Sequence, residues 1–200
     1  MKTKMTMPAN LKEDVQQLWT TYESWLSVQW PEGLARLQAP ATDDHIARLE
    51  AVLQAKLPDD LIACLKIHNG QSGFGPLLGG WDFLSVEEIQ EQWQVWAELV
   101  DAGDFDGYAS EPEAGIRDDW YNRKWVPFTH DGAGNHLCVD LDPASSGQYG
   151  QVITMWHDGA ERELKAPSFL AFLSAYVEGV LAGEYVYAED YGGIVEARDL

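Results

Sequence analysis

The chain has 200 residues, 46% of them hydrophobic and 23% charged, a composition that supports a packed core and excludes disorder along its whole length. Lysine and arginine total 13 against 33 aspartates and glutamates, leaving a formal net charge of -20. A charge of that sign repels polyanions, so nucleic acid and anionic membrane are excluded as partners and a basic protein is favoured.

Length favours one domain with trimmings over two. Only Cys64 and Cys138 occur, far apart and without CxxC spacing, so neither a disulfide framework nor a thiolate zinc site is expected. The opening MKTKMTMPAN has no apolar run behind its lysines, and no stretch approaches the ~18 apolar residues of a membrane span. A reducing, cytoplasmic location is expected.

Asn10 and Glu13 have capping-box spacing, and Leu11, Val15, Leu18, Trp19, Tyr22 and Leu26 follow at helical period, predicting a helix over 11–28. Pro31 and Gly33 break the pattern. Thr42, with Asp43 and Asp44 in the first turn and Ile46, Leu49 and Leu53 as the buried stripe, starts a second helix. Pro58 opens a short third one, which Asn69 and Gly70 are expected to stop. Residues 70–80 read as loops framing a short strand near Leu77 and Leu78. Ser85 and Glu88 form another capping box before Val86, Ile89, Trp93, Trp96 and Val100. Residues 101–119 read as a long exposed acidic loop.

Three strands are expected at Lys124–Thr129, His136–Leu141 and Gln151–Trp156, antiparallel because their connections are short. Ser168 caps a last helix that ends at Gly183. Beyond it, Tyr185, Val186, Tyr187 and Tyr191 form an edge strand or a loose tail. Helices at both ends of a block of antiparallel strands predict an α+β domain.

Motifs for chemistry fail one by one. Gly70-Gln-Ser72-Gly-Phe-Gly75 lacks the second glycine of a nucleophile elbow, since Phe74 stands there, and Leu78 occupies the third glycine position of a dinucleotide fingerprint. Turn chemistry accounts for it better. His130, His136 and His157 fall near Asp131, Asp140 and Asp158 but without a ligand motif, so hydrogen-bonded histidines are expected. Asp104, Asp106, Gly107 and Glu113 match four places of a calcium loop, but Ala102 replaces its first ligand and Pro112 stands where the exiting helix begins. No metal, no cofactor and no catalytic residue is expected.

Charge is the better clue. From Glu98 to Asp119, eight carboxylates (Glu98, Asp101, Asp104, Asp106, Glu111, Glu113, Asp118 and Asp119) face Arg117 alone. Phe105, Tyr108, Trp120 and Tyr121 are interleaved with them. A second cluster from Glu178 to Leu200 carries Tyr185, Tyr187 and Tyr191. Acid runs are usually solvated surface. Aromatic anchors inside an acidic rim suit a protein interface, so Asp104, Phe105, Asp106, Tyr108, Glu111, Glu113, Asp118, Asp119, Trp120 and Tyr121 form the candidate partner-binding set, on a segment free to adapt.

Leu57-Pro58-Asp59-Asp60-Leu61 and Leu65-Lys66-Ile67-His68-Asn69-Gly70-Gln71 resemble a helix and its Asn-Gly stop in the SUKH superfamily, which includes the yeast cell-wall-assembly regulator domain and its bacterial relatives. Leu84-Ser85 with Glu87, Glu88, Ile89 and Trp93 resembles its middle helix. Lys124 to Phe128, Asp131 to Asp142 and Gly150 to Ile153 resemble its strands, and Ser168-Phe169 with Phe172-Leu173 its closing helix. The resemblance spans residues 42–182, with 1–41 as an N-terminal helix and linker packed on that domain, 101–119 as an acidic insert and 183–200 as an acidic aromatic tail.

It implies a mostly antiparallel curved sheet flanked by helices, and no enzymatic activity. Asn69, Gly70, Pro127, Gly132, Gly134, Asp140 and Gly150 are carried over as structural residues only. Bacterial members are commonly immunity proteins that neutralise a cognate toxin, often a nuclease, so the leading expectation is a cytoplasmic inhibitor of a basic, nuclease-type toxin. The rival is a regulatory scaffold of the fungal kind, for whose disordered flanks the chain has little room.

Overall fold

A computed structural model of the chain describes residues 9–200. The lysine-bearing start, residues 1–8, lies outside the described residues. Helix α1 (Ala9–Gln29) buries Val15, Trp19, Tyr22 and Leu26 on one face, as its periodicity predicts. It begins ahead of Asn10, which therefore lies in the first turn rather than capping it, because Ala9, a strong helix former, is already helical. Pro31 does not end helical structure but takes the first turn of a short α2 (Pro31–Leu34), where its missing N–H costs nothing.

Helix α3 (Asp43–Leu53) begins as expected at Thr42, whose hydroxyl accepts from the His45 N–H at 3.2 Å. Helix α4 (Asp59–Leu65) ends at Lys66, before the residues expected to stop it. Asn69 and Gly70 have a different task. Asn69 is buried, its Oδ1 accepting from the Val86 N–H at 2.8 Å and its Nδ2 donating to Glu87 at 3.2 Å. Gly70 adopts φ +71°, and a Cβ there would stand 2.2 Å from the Ser85 nitrogen. The pair cradles the start of the next helix, a long-range role that local sequence does not display.

Leu77 and Leu78 are buried in a turn, with the Leu78 N–H donating to the Trp81 carbonyl at 3.0 Å, and the expected strand falls later, at β1 (Asp82–Phe83). A short apolar pair looks the same to composition in either setting. Helix α5 (Val86–Ala102) has the full Ser85–Glu88 capping box and closes on Gly103 in the left-handed conformation.

The strands follow: β2 (Glu111–Pro112), β3 (Trp125–Pro127), β4 (Thr129–His130), β5 (His136–Asp140), β6 (Gln151–Met155), β7 (Glu161–Arg162) and β8 (Leu164–Ala166). An antiparallel sheet runs β3-β5-β6-β8, with Cys138 opposite Ile153. Pro127 lies on an edge strand, where a missing ladder donor is tolerated. In the turn between β4 and β5, Gly132 and Gly134 take positive φ while the Asp131 carboxylate accepts from the N–H groups of Ala133 and Asn135. Gly150 donates its N–H to the Asp140 carbonyl at 2.8 Å, and the buried Asp140 carboxylate accepts from Gln151 and from the Asp142 N–H. Burial pushes that carboxyl above its usual value, against those hydrogen bonds.

Helix α6 (Phe169–Ala182) is capped by Ser168 and stopped by Gly183. The end of the chain is a separate hairpin of β9 (Tyr185–Ala188) and β10 (Gly193–Glu196), so Tyr185 to Tyr187 form a strand rather than a loose tail, but one that joins no edge of the four-stranded sheet. The Gly80 N–H donates to the Ile194 carbonyl and the Ile194 N–H to the Pro76 carbonyl, both at 2.8 Å.

One apolar cluster runs from Val15 of α1 through α3, α4, α6 and the sheet to Ile194. Leu137, Val139 and Val152 face it. Cys138, Ile153 and Met155 instead join Trp96, Ile116, Tyr121 and Trp125 in a second, smaller cluster. Successive strand residues point to opposite faces, so the sheet is buried on both, and each large apolar side chain so covered contributes roughly 1.5–3 kcal/mol. Ile116 belongs to the acidic insert, which therefore roofs the second core.

Candidate functional site

The insert starts where Gly103 turns the chain back, letting Phe105 stack on Trp96 with ring centres 5.8 Å apart. Its backbone is then fastened to the sheet. Ala109 bridges to Asp119, the Glu111 N–H donates to the Ala160 carbonyl at 2.7 Å and the Glu113 N–H to the Arg162 carbonyl at 2.9 Å, making β2 and β7 a parallel pair. The Glu113 carboxylate accepts from the Leu164 N–H at 2.8 Å, and Gly115 offers its carbonyl to Ala144 and to the Gln151 side chain. The expected adaptable loop is thus a pinned one, because its anchors lie far along the chain on β7 and β8.

Arg162 is the main fixing. It is fully buried with no carboxylate partner among the described residues, and its guanidinium donates to the carbonyls of Trp120 at 2.6 Å, Gly159 at 2.8 Å and Glu161 at 2.7 Å. The guanidinium carbon lies 5.4 Å from the centre of the Trp120 ring and 5.8 Å from that of Trp125. Burial lowers its pKa to about 10, which still leaves it charged at neutral pH. Sequence reasoning passed over this residue. The one available signal was a lone cation between Glu161 and Glu163 in a strand of alternating exposure.

The candidate set divides on this frame. Phe105, Asp106, Tyr108, Asp118, Asp119 and Trp120 come together around an open cavity of about 310 Å³. Tyr108 is largely exposed, with its ring centre 5.4 Å from that of Trp120. Asp104, Glu111 and Glu113 lie outside the lining. The side chains of Asp104, Asp106, Glu111 and Asp118 make no hydrogen bond or ion pair among the described residues, whereas Asp119 accepts from Asn122 at 2.8 Å. Tyr121 is buried, stacked on Trp96 at 5.2 Å and donating its hydroxyl to the Trp125 carbonyl at 2.9 Å. It belongs to the second core and lines the cavity only from its buried side, because the chain after Trp120 turns inward to start β3.

The other chemistry resolves into structure. Buried His136 donates from Nδ1 to the Thr129 carbonyl at 2.7 Å and accepts at Nε2 from the Trp96 indole at 3.2 Å, which fixes a neutral tautomer. Its burial depresses the pKa to about 4. His157 pairs with Asn135, and the His130 ring accepts from the Gly132 N–H. Among the described residues no group of three or more His, Cys, Asp or Glu side chains could hold a metal ion. Ser72 donates to the Arg36 carbonyl within a turn, both cysteines are free and buried, and no described helix is long and apolar enough to cross a membrane.

A sheet covered on both faces, with the open polar surface carried by its connections, is the architecture of an α+β domain of the SUKH class. The chain belongs to the SMI1 / KNR4 family (SUKH-1), whose model matches residues 40–175. It is 30% identical over 197 residues to the cell wall biosynthesis/cell cycle regulator smi1 of Schizosaccharomyces pombe, covering 91% of this chain and 39% of that protein. It is 27% identical to a glucan synthesis regulatory protein of Neurospora crassa, over 88% of this chain and 40% of the relative. With the cell wall assembly regulator SMI1 of Saccharomyces cerevisiae the figures are 24%, 86% and 41%. The chain therefore spans about two fifths of the length of these curated relatives.

Proposed function

We propose that the chain is a non-catalytic protein-binding domain that works as a regulatory scaffold, as the names of its fungal relatives suggest, and needs neither metal nor cofactor. The observation that carries this reading is the acidic face of the insert: Asp106 and Asp118 at a cavity walled by Phe105, Tyr108 and Trp120, with Asp104 and Glu111 elsewhere on the insert, all four without a side-chain partner among the described residues. Such a face attracts a basic surface over long range and offers rings to bury at contact. The test is capture of partners from extracts of the source cell by the full chain and by a variant with Asp104, Asp106 and Asp118 changed to Asn and Glu111 to Gln. Loss of a basic partner, with association that slows as salt rises, is the expected result. The same partner captured with the same salt dependence by both proteins would refute it.

The net charge of -20 also supports a second reading, an immunity protein that blocks a basic, nuclease-type toxin in the cytoplasm. Co-expression with a toxin encoded beside it separates the two: restored growth would move the assignment from scaffold to inhibitor.

A further inference from the structure

Another open cavity lies away from the insert. About 500 Å³ in volume, it opens between the turn at 74–76, the start of β1, the β4–β5 turn and the C-terminal hairpin. Phe74 stands at its rim with 87% of its surface exposed, and Tyr191 with 57%. Asp82, Asp131 and His130 line it together with Val195, and no lysine or arginine is among its lining residues.

The floor is rigid. One Asp82 oxygen, Oδ1, accepts from the Gly75 N–H at 3.1 Å and from the Gln71 amide at 3.2 Å, while Oδ2 has no partner among the described residues. The same Gln71 amide group accepts from the Phe83 N–H at 2.8 Å, which ties the carboxylate to the β1–β4 ladder, where Asp82 faces His130. The turn bearing Phe74 is held from behind by Arg36, which donates to the Phe74 carbonyl and lies 5.1 Å from the Trp30 ring centre. Burial raises the Asp82 carboxyl above its usual value, with the hydrogen bonds from Gly75 and Gln71 opposing. A carboxylate whose charge is already costly to hold gains most from an incoming cation.

From this arrangement we infer that the cleft receives the arginine or lysine side chain of a basic segment on a protein partner, with the charge seated on Asp82 and Asp131 and the alkyl stem or guanidinium plane against Phe74 and Tyr191. Two exposed rings beside a carboxylate oxygen of Asp82 that has no partner among the described residues suit a cation, because an anion would meet two aspartates and a purely apolar group would cut that oxygen off from water. The overall charge of the chain draws such a segment in. The inference rests on the protein-binding reading but places a contact on a different part of the fold from the insert.

The test is a titration of the full isotope-labelled chain, followed by NMR, with the peptide acetyl-Gly-Arg-Gly-Arg-Gly-amide and with its citrulline counterpart, which keeps the shape and loses the charge. The arginine peptide is expected to shift amides at 74–75, 80–82, 130–132 and 191–195, and the citrulline peptide to leave them in place. Asp82→Asn keeps an acceptor for Gly75 and Gln71, so it retains the fold while weakening binding about tenfold. Phe74→Ala, at an exposed site, weakens it about fivefold. Unfolding midpoints of both variants confirm that the frame is intact. Shifts confined to residues 104–120 would overturn the cleft and leave the insert as the binding face. Absence of any shift, or equal response to the two peptides, would overturn the cleft outright.

Discussion

His136 makes the stability of this domain depend on pH. The ring is fully buried, with its two nitrogens committed to the Thr129 carbonyl and the Trp96 indole. Its pKa falls from 6.5 to about 4 on folding, chiefly through burial, assisted by neighbouring His130 and opposed by the Thr129 hydrogen bond and Asp131. Below pH 6.5 the unfolded chain binds a proton that the folded one refuses, so stability is full above the unfolded pKa and lost as pH falls toward the folded one. The whole interval corresponds to about 3 kcal/mol, of which about 1 kcal/mol is lost between pH ~7.5 and ~5.5. Asp82 and Asp140 act in the opposite sense, since their raised carboxyl values favour proton uptake by the folded state.

Urea unfolding followed by tryptophan fluorescence at pH ~7.5, ~6.5 and ~5.5 measures the loss. His136→Gln supplies a donor and an acceptor without a titrating group, and is expected to flatten the dependence by about 1 kcal/mol while lowering stability at every pH through imperfect packing. An unchanged slope in that variant would refute the reasoning and place the proton uptake elsewhere.

Two further substitutions probe the frame. Gly70→Ala is expected to cost about 3 kcal/mol or more, because a positive φ is combined with a Cβ pressed on the Ser85 backbone, whereas Gly73→Ala, with φ +73° but open space, costs about 1 kcal/mol; equal losses by chemical denaturation would deny the close approach. Tyr121→Ala is expected to destabilise by roughly 3–5 kcal/mol and Tyr121→Phe by about 1 kcal/mol, and an alanine variant that unfolds like the parent but binds partners less well would return Tyr121 to the surface.

What the sequence made legible was what local chemistry controls. The Thr42, Ser85 and Ser168 caps, the glycine ends at Gly103 and Gly183, and the β5–β6 pairing all follow from residues close together in the chain. Family membership was readable for a related reason, since several short motifs recurred in order. Misreadings arose where the partner is remote. Asn69 reads as a helix stop until Val86 is seen donating to it, and the insert reads as free until Arg162 and Leu164 are found holding it. The choice between regulator and toxin inhibitor was not written in the fold residues at all, and the fungal relatives favour the former.

The way the insert is mounted has an evolutionary consequence. Its fixings are carbonyls, N–H groups, the Glu113 carboxylate and one arginine on a neighbouring strand, while the side chains of Asp104, Asp106, Glu111 and Asp118 make no hydrogen bond or ion pair among the described residues. Mutation at those four positions rewrites the face proposed to meet a partner and leaves the mounting untouched. Lineages of such domains can therefore drift in whom they recognise without passing through an unfolded ancestor, provided the arginine behind the panel stays in place.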